Sequence, residues 1–105
     1  MEHYILNANG DPEPCGSLLE WARWFETSAD VRRVALDNIG GVKVSTVFLG
    51  LDHSFDGAGP VLFETLVFGG PLDGEQERYA TRDEAVTGHV SMVERVKGSV
   101  PSGGQ

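Results

Sequence analysis

The segment Val42–Ala80, VKVSTVFLGLDHSFDGAGPVLFETLVFGGPLDGEQERYA, decides the fold of this chain. It contains two long apolar runs, Val42–Leu51 and Pro60–Gly69, which are separated by the glycine-containing loop Ser54–Gly59. A third run, Glu77–Ala80, follows a second glycine-rich turn. Apolar runs of this length, bounded by glycine and proline, are typical of consecutive antiparallel strands. The segment therefore predicts a sheet built from hairpins.

Helices are predicted on both sides of this segment, over Ser17–Thr27 and Thr81–Gly98. Each range begins with a hydroxyl residue followed three positions later by Glu, a capping box that satisfies free N–H groups of the first turn. Their apolar residues recur at helical spacing. The predicted stripe of the first helix is Leu18, Ala22 and Phe25, broadened by Leu19, Trp21 and Trp24. The predicted stripe of the second is Ala85, Val86, His89, Val90, Met92, Val93 and Val96.

Two further strands, Tyr4–Asn7 and Val31–Ile39, complete the order β-α-β-β-β-β-α. Turn-forming residues end the first strand, and Gly40-Gly41 suits a tight hairpin after the second. We therefore expect a single α+β domain over residues 1–98, with a four- or five-stranded antiparallel sheet packed by two helices. Residues 99–105 are small and polar, and a disordered tail is expected there.

Composition restricts the classes of partner and compartment. The 105 residues include one cysteine, Cys15, which favours a reducing, cytoplasmic environment. Met1–Gly10 is acidic and short of apolar residues, so we expect no signal peptide, and no run approaches the roughly 20 apolar residues of a membrane span. Sixteen acidic against eight basic residues leave a net charge of −8. That charge argues against direct binding to nucleic acid or to an anionic membrane.

The acidic residues concentrate near the end of the strand block, which favours one of two interpretations. Asp73, Glu75, Glu77, Asp83 and Glu84 would form this acidic face. It would either keep a small protein in solution or attract a basic partner, such as the nucleic-acid groove of a host protein. The second interpretation makes the five carboxylates an interaction site.

Chemistry is indicated at isolated positions only. Glu64 lies within the apolar run VLFETLVF, where burying an unpaired carboxylate is costly. It is therefore either a general base or ligand carboxylate, or a residue that faces outward or pairs with an arginine such as Arg78. His89 lies on the stripe of the second helix, as a partner for Glu64 or as a core histidine. Asp52 and His53 follow each other at the end of a strand. They are either a base with its orienting group, or metal ligands, or simply an exposed strand end. No zinc spacing, nucleophile elbow or phosphate-binding glycine pattern occurs, so we assign no catalytic residue, metal or cofactor.

A small-molecule site is the alternative to a protein partner. Glycine-rich hairpin loops between subunits could line a nucleotide pocket, with Lys43, Arg78 and Arg82 as the donors. We expect a homo-oligomer, because apolar strands at the sheet edges and two tryptophans on one helix leave surface to cover.

The run VSTVFLGLDHSF, followed by VLFETLVFGGPLDG, ERYAT and the pairs EA and GH, resembles small proteins of unknown function encoded by bacteriophages and prophages, especially of actinobacterial hosts. The resemblance covers about Trp21 to His89 and implies a phage origin and the cytoplasm of a bacterial host. By analogy of class, it implies an accessory factor for anti-defence or host takeover. We therefore expect a non-enzymatic protein that binds a host macromolecule. A nucleotide-binding oligomer is the second hypothesis, and a hydrolase-like enzyme using Glu64 and a histidine is the third.

Overall fold

In a computed structural model of the chain, residues 2–54 and 59–100 are described. The elements are β1 (Tyr4–Leu6), β2 (Pro12–Pro14), α1 (Leu18–Thr27), α2 (Ala29–Arg32), β3 (Arg33–Ile39), β4 (Val42–Phe48), β5 (Phe63–Phe68), β6 (Gln76–Tyr79) and α3 (Arg82–Ser99). Strands β3-β4-β5-β6 form a four-stranded antiparallel sheet, and β1-β2 form a separate hairpin. The predicted α+β class with an antiparallel sheet is confirmed. Within the described ranges, no helix combines the length and apolar character needed to cross a bilayer.

The N-terminal strand differs from the prediction, because it pairs with β2 rather than extending the main sheet. The side chain of Asn7 folds the chain back here. Its Oδ1 accepts hydrogen bonds from the N–H groups of Asn9 at 2.9 Å and Asp11 at 3.0 Å. This Asx turn closes a hairpin whose second strand contains Pro12 and Pro14, which an edge strand tolerates. The sequence pattern predicted only turn-forming residues after the first strand.

The predicted strand over residues 31–39 begins two residues late, because one helical turn, α2, precedes it. The Arg32 side chain stabilises this turn. Its Nε donates to Ser28 Oγ at 3.1 Å, its Nη2 donates to the Phe25 carbonyl at 3.2 Å, and its guanidinium lies 3.7 Å from the centroid of the Phe25 ring. Side-chain contacts with the end of α1 therefore override the strand propensity of Val31.

The ends of the central hairpin and of the last helix also differ from their predicted bounds. β4 ends at Phe48, and the following residues turn toward β1, where the Tyr4 N–H donates to the Gly50 carbonyl at 2.8 Å. β5 begins at Phe63, and the predicted loop between the two strands lies mostly outside the described residues. α3 continues to Ser99, and Val100 packs on the core, so these two residues of the predicted tail belong to the fold. The rest of the predicted tail, 101–105, lies outside the described residues.

Helix α3 lies across one face of the main sheet and contacts all four strands. Its buried residues form two apolar clusters with those strands. The hairpin-side cluster comprises Leu6, Phe48, Leu62, Phe63 and Ala85, and the C-terminal cluster comprises Val42, Val44, Val67, Met92 and Val96. Burying a side chain of this size stabilises the fold by about 1.5–3 kcal/mol. Between the clusters lie three buried polar residues, Thr46, Thr65 and His89.

The buried stripe of α3 is narrower than predicted. Ala85, His89, Met92 and Val96 are buried, whereas Val86 and Val90 are exposed by 47% and 58%. The four buried positions follow one line along the helix, because the face of a sheet contacts a helix only along a narrow strip. The remaining apolar positions of the predicted stripe therefore lie at its margin or in solvent.

Helix α1 packs at the end of the sheet, against the β1-β2 hairpin, and none of its residues is fully buried. Its contacts are aromatic. Trp24 meets Phe48 edge-on with ring centroids 5.9 Å apart, and Trp21 Nε1 donates to the carbonyls of Tyr4 and Gly50, at 3.1 Å each. Leu18 is 64% exposed. Of the two predicted helices, only α3 therefore packs across the sheet.

The close approach of α3 to β6 generates a stability prediction at Gly88. A Cβ atom placed on Gly88 would lie 2.2 Å from the Tyr79 hydroxyl oxygen and 2.3 Å from two ring carbons. We expect Gly88→Ala to destabilise the protein by about 1–3 kcal/mol, although alanine is the better helix former. Urea unfolding followed by tryptophan fluorescence measures the change.

The matched control is Gly98→Ala, in the same helix, where nothing lies within 4 Å of an added Cβ. We expect this variant to be neutral or more stable by up to about 1 kcal/mol. If both variants gain stability alike, the contact between Tyr79 and the backbone of α3 does not limit packing.

Candidate functional site

The densest group of chemically active side chains is a hydrogen-bonded chain beneath α3, which is buried at its centre and exposed at Asp37, and which we call the polar layer. It comprises Asp37, Thr46, Thr65, Tyr79 and His89. His89 Nε2 lies 2.7 Å from Asp37 Oδ2, and His89 Nδ1 lies 2.7 Å from Thr46 Oγ1. Thr46 Oγ1 lies 2.5 Å from Thr65 Oγ1, which accepts a hydrogen bond from the Tyr79 hydroxyl at 3.1 Å.

Strand alternation and register bring these residues together. Asp37 pairs with Val44, and Thr46 pairs with both Ala35 and Thr65, so all of these positions face α3. Tyr79 pairs with Phe63 on the same face. His89 lies one helical turn after Ala85, directly above the two threonines. Four strands and one helix therefore contribute to a single layer.

The polar layer is complete when its hydroxyl protons all point the same way. One arrangement satisfies every group: Tyr79 donates to Thr65, Thr65 donates to Thr46, Thr46 donates to His89 Nδ1, and His89 Nε2–H donates to Asp37. This assignment follows from satisfying every group, since each hydroxyl has one proton to give. Among the described residues, no buried side-chain nitrogen or oxygen lacks a partner.

The order carboxylate, imidazole, hydroxyl matches the order of groups in hydrolase triads, but access differs. Thr46 and Thr65 have no exposed surface, and His89 is 4% exposed. The Thr46 hydroxyl is shared between His89 and Thr65, and no described cleft includes any of the three. A nucleophile must reach its substrate, so this geometry favours a structural role. In the polar layer, His89 fits the prediction of a core histidine.

The structure does not bring Glu64 and His89 together, because they lie on opposite faces of the sheet. Glu64 faces away from α3, and its Oε2 accepts hydrogen bonds from Arg78 Nε at 3.0 Å and from the side-chain amide of Gln76. The outward-facing, Arg78-paired alternative for Glu64 therefore fits the structure. A catalytic pair would need Glu64 and His89 on the same face of the sheet. Glu64 directly precedes Thr65, which faces α3, and consecutive residues of a strand point to opposite faces.

Asp52 of the predicted Asp52-His53 pair holds a loop. Its Oδ1 accepts hydrogen bonds from the N–H groups of Ser54 at 2.9 Å and Val61 at 3.0 Å. These two backbone bonds, first Ser54 and then Val61, lower the pKa of Asp52 against the opposing effect of desolvation. The His53 N–H donates to the Val61 carbonyl at 2.9 Å. The pair thus closes the end of the β4-β5 hairpin.

Three of the five carboxylates predicted as an acidic face have contacts within the chain. Asp73 Oδ1 accepts from the Gly69 N–H, Glu75 pairs with Arg95 at 2.7 Å, and Glu84 completes the capping box of α3 with Thr81. Glu77 and Asp83 are exposed and form no ion pair with any described residue. The capping role of Glu84 confirms the sequence pattern at the helix start.

The face of the main sheet opposite α3, which we call the open face, carries no described helix. Its residues are Leu36, Asn38, Lys43, Ser45, Val47, Glu64, Leu66, Phe68, Gln76 and Arg78. Leu36 and Phe68 are exposed by 41% and 43%, and Lys43 Nζ lies 4.9 Å from the centroid of the Phe68 ring. Lys43 and Arg78 both lie on this face, whereas Arg82 starts α3 on the other side. The three predicted ligand donors therefore do not form one site.

Sequence reasoning found His89 but missed its partners. Thr46 and Thr65 each occupy an inward position in an otherwise apolar alternation, Val44-Thr46-Phe48 and Phe63-Thr65-Val67. Two threonines at corresponding positions of neighbouring strands were the available signal, since buried hydroxyls require partners. Nothing in the local pattern around Asp37 or Tyr79 indicates that they reach the same layer.

Comparison of the chain with protein families, curated proteins and solved structures found no match. A function for this chain is therefore argued from its own geometry and charge.

The polar layer generates a prediction about stability. We expect Thr46→Val, which keeps the shape but removes the hydroxyl, to cost about 1–3 kcal/mol, because His89 Nδ1 and Thr65 lose their partner inside the core. The double variant Thr46→Val/Thr65→Val should cost less than the sum of the single variants, since the bond between the threonines is lost once. Chemical denaturation of the four proteins completes the cycle.

The control is Ser45→Ala, at the neighbouring position on the open face, which should change the unfolding free energy by less than about 0.5 kcal/mol. Additive losses in the double variant, or an equal loss for Ser45→Ala, would contradict a coupled buried layer.

The two tyrosines generate a pH prediction. Burial raises the pKa of Tyr79 above the usual 10.0, with the charge of Glu77 adding to it and the Thr65 hydrogen bond opposing it. Burial, then the charges of Glu2 and Asp52, raise the pKa of Tyr4. A native pKa above the unfolded value means that this stability is fully present below pH 10.0 and is lost as pH rises through the native pKa.

Ultraviolet titration of tyrosinate should therefore give native midpoints above those in urea for both residues. Tyr79→Phe should remove one of the two transitions and leave that of Tyr4. Coinciding titration curves in buffer and in urea would show that neither hydroxyl is shielded by the fold.

Proposed function

We propose that this chain is a non-enzymatic binding protein, of phage origin, whose open face contacts a macromolecule of the bacterial host. The observation that supports the proposal is the apolar character of this uncovered face. Leu36 and Phe68 are exposed, and Val47 and Leu66 face the same way on either side of Ser45. Exposed apolar side chains on a sheet face that no described helix covers are typical of protein–protein contacts.

The placement of the reactive groups supports binding rather than catalysis. Histidine and hydroxyl groups converge in the polar layer, where burial keeps them from a substrate, and Glu64 on the open face is paired with Arg78. The ion pair with Arg78 lowers the cost of removing the Glu64 carboxylate from water when an apolar partner covers this face. The open face thus presents apolar side chains around Ser45, with a neutralised ion pair at one end.

Charge supports a partner with a basic rim. The open face carries the basic side chains Lys43 and Arg78, and Arg33 pairs with Val47 at its edge, against one carboxylate, Glu64. The acidic excess of this chain, whose net charge is −8, therefore resides on the rest of the surface. A host protein that binds nucleic acid has basic surface that this acidic surround would attract, while the apolar side chains of the open face supply the affinity. An anti-defence or host-takeover role is consistent with such a partner.

A test of the contact compares two sets of apolar-to-charged variants. We expect Leu36→Glu and Phe68→Glu to lose a partner that wild-type protein captures from host lysate, because each places a carboxylate in a desolvated contact. Mass spectrometry identifies the partner, and titration with the purified partner should show at least about a tenfold loss in affinity.

The matched control is Val90→Glu, on the solvent side of α3, where the side chain is 58% exposed. It should fold and bind like wild type. Equal loss in all three variants, with unchanged unfolding midpoints, would remove the open face from the proposal. Glu77→Lys tests the electrostatic part without breaking an ion pair, and it should lower the association rate and its salt dependence.

A second copy of the chain is the alternative occupant of the open face. Light scattering on wild type and Phe68→Glu distinguishes the two occupants. Homo-oligomerisation through this face requires a wild-type mass above 11.3 kDa that falls to the monomer in the variant.

A further inference from the structure

We infer that a cleft beside the β1-β2 turn binds the phosphate of a free mononucleotide. The cleft has a volume of about 590 Å³, which lies within the range of about 300–1,000 Å³ that small-molecule sites occupy. It opens between the β1-β2 turn, the junction of α1 and α2, and the start of α3. Its lining includes Asn7, Asn9, Trp24, Asp30, Arg33 and Arg82. This site does not depend on a macromolecular partner.

Two arginine residues, Arg33 and Arg82, belong to the lining of this cleft, and the guanidinium of Arg82 lies beside the β1-β2 turn. Within the described parts of the chain, neither Arg33 nor Arg82 forms an ion pair or a side-chain hydrogen bond, whereas Arg78 and Arg95 are paired with carboxylates. One carboxylate, Asp30, lines the cleft with them. The lining therefore carries a local excess of positive charge in a chain of net charge −8. Guanidinium groups bind phosphate oxygens through two parallel hydrogen bonds, which is why arginine is favoured at such sites.

The position of Arg82 is electrostatically unfavourable for a helix on its own. Arg82 is the first residue of α3, where the helix dipole presents its positive end and favours anions over cations. Its guanidinium lies over the hairpin turn, since a Cβ on Gly10 would be 3.7 Å from Arg82 Nη1. A bound anion beside Arg82 would offset this repulsion.

The walls of the cleft are held in place by contacts within the chain. The Asn7 side chain anchors the β1-β2 turn through the N–H groups of Asn9 and Asp11, which leaves the Asn9 side chain on the cleft lining. The Trp24 ring is held edge-on against Phe48, with an interplanar angle of 79°. Phosphate-binding cations beside a fixed aromatic surface suit a nucleotide, because a nucleobase stacks on an indole.

The charge of the whole chain selects a free nucleotide over a nucleic acid. A nucleic acid is repelled by the acidic surface around the cleft, because its charges extend beyond the cleft. A mononucleotide is small enough to place its charge inside the cleft only. The ligand class is therefore a small phosphate ester with an aromatic base. The order of affinity expected is AMP above inorganic phosphate, with adenosine and a 5′-phosphorylated oligonucleotide weaker than AMP.

Nuclear magnetic resonance tests this site with a control built into the chain. The sequence contains two tryptophans, and the indole N–H of Trp21 is engaged by backbone carbonyls of the hairpin whereas Trp24 lines the cleft. Titration with AMP should shift the indole signal of Trp24 and leave that of Trp21 unchanged. No shift of Trp24 at millimolar AMP would overturn the proposal.

Substitutions assign the role of each arginine. Arg33→Gln and Arg82→Gln should each weaken AMP binding by about tenfold or more, because each removes a charge-assisted hydrogen bond. The matched control is Arg23→Gln, which removes the same charge from the exposed face of α1 and should leave affinity unchanged. Equal weakening in all three variants would indicate general charge attraction and would overturn the site. Inorganic phosphate binding as tightly as AMP would overturn the assignment of the base to Trp24.

Discussion

The hydrogen bonds of His89 to Thr46 and Asp37 are the interaction on which the rest of the structure depends. They occur where an apolar contact between α3 and the sheet would otherwise be continuous, and they divide the core into two apolar clusters. Apolar contacts tolerate sliding, whereas a buried imidazole flanked by two fixed partners is satisfied in one position only. The polar layer thus sets the register of α3 on the four strands. Once that register is set, Gly88 lies against Tyr79 and the helix can approach the sheet closely.

A single helix on a four-stranded sheet leaves the second sheet face without a cover. α1 cannot supply it, because its aromatic side chains hold it against the β1-β2 hairpin at the end of the sheet. The outward side chains of β4 and β5 therefore meet solvent or a partner. Their composition, apolar at Val47 and Leu66 and charge-paired at Glu64, is suited to a contact that forms after folding. The same division keeps the reactive groups of the polar layer away from any bound partner.

Charge in this chain has two distinct roles. Many of its ionic side chains stabilise the fold: Asp52 and Asp73 anchor turns, Glu84 caps α3, and Glu75 pairs with Arg95. Such groups are poor candidates for recognition, since a partner would have to replace bonds that already exist. The charges available for binding are those without such contacts, and Arg33 and Arg82 stand out because they line one cleft in an acidic protein. A cluster of acidic residues in a sequence does not show which carboxylates stabilise the fold and which are available for binding.

The amino-acid sequence by itself determined the α+β class, the four strands of the main sheet, and the start of α3, because alternation, glycine turns and capping boxes act between near neighbours. It also placed His89 on a buried stripe. The tertiary structure alone decided the hairpin pairing of Tyr4–Leu6, the one-turn helix before Arg33, and the face on which Glu64 lies. It alone brought Asp37, within its strand, to a histidine 52 residues away. Register and side-chain contacts across long separations set these features, and local patterns carry no information about which distant group completes a hydrogen bond.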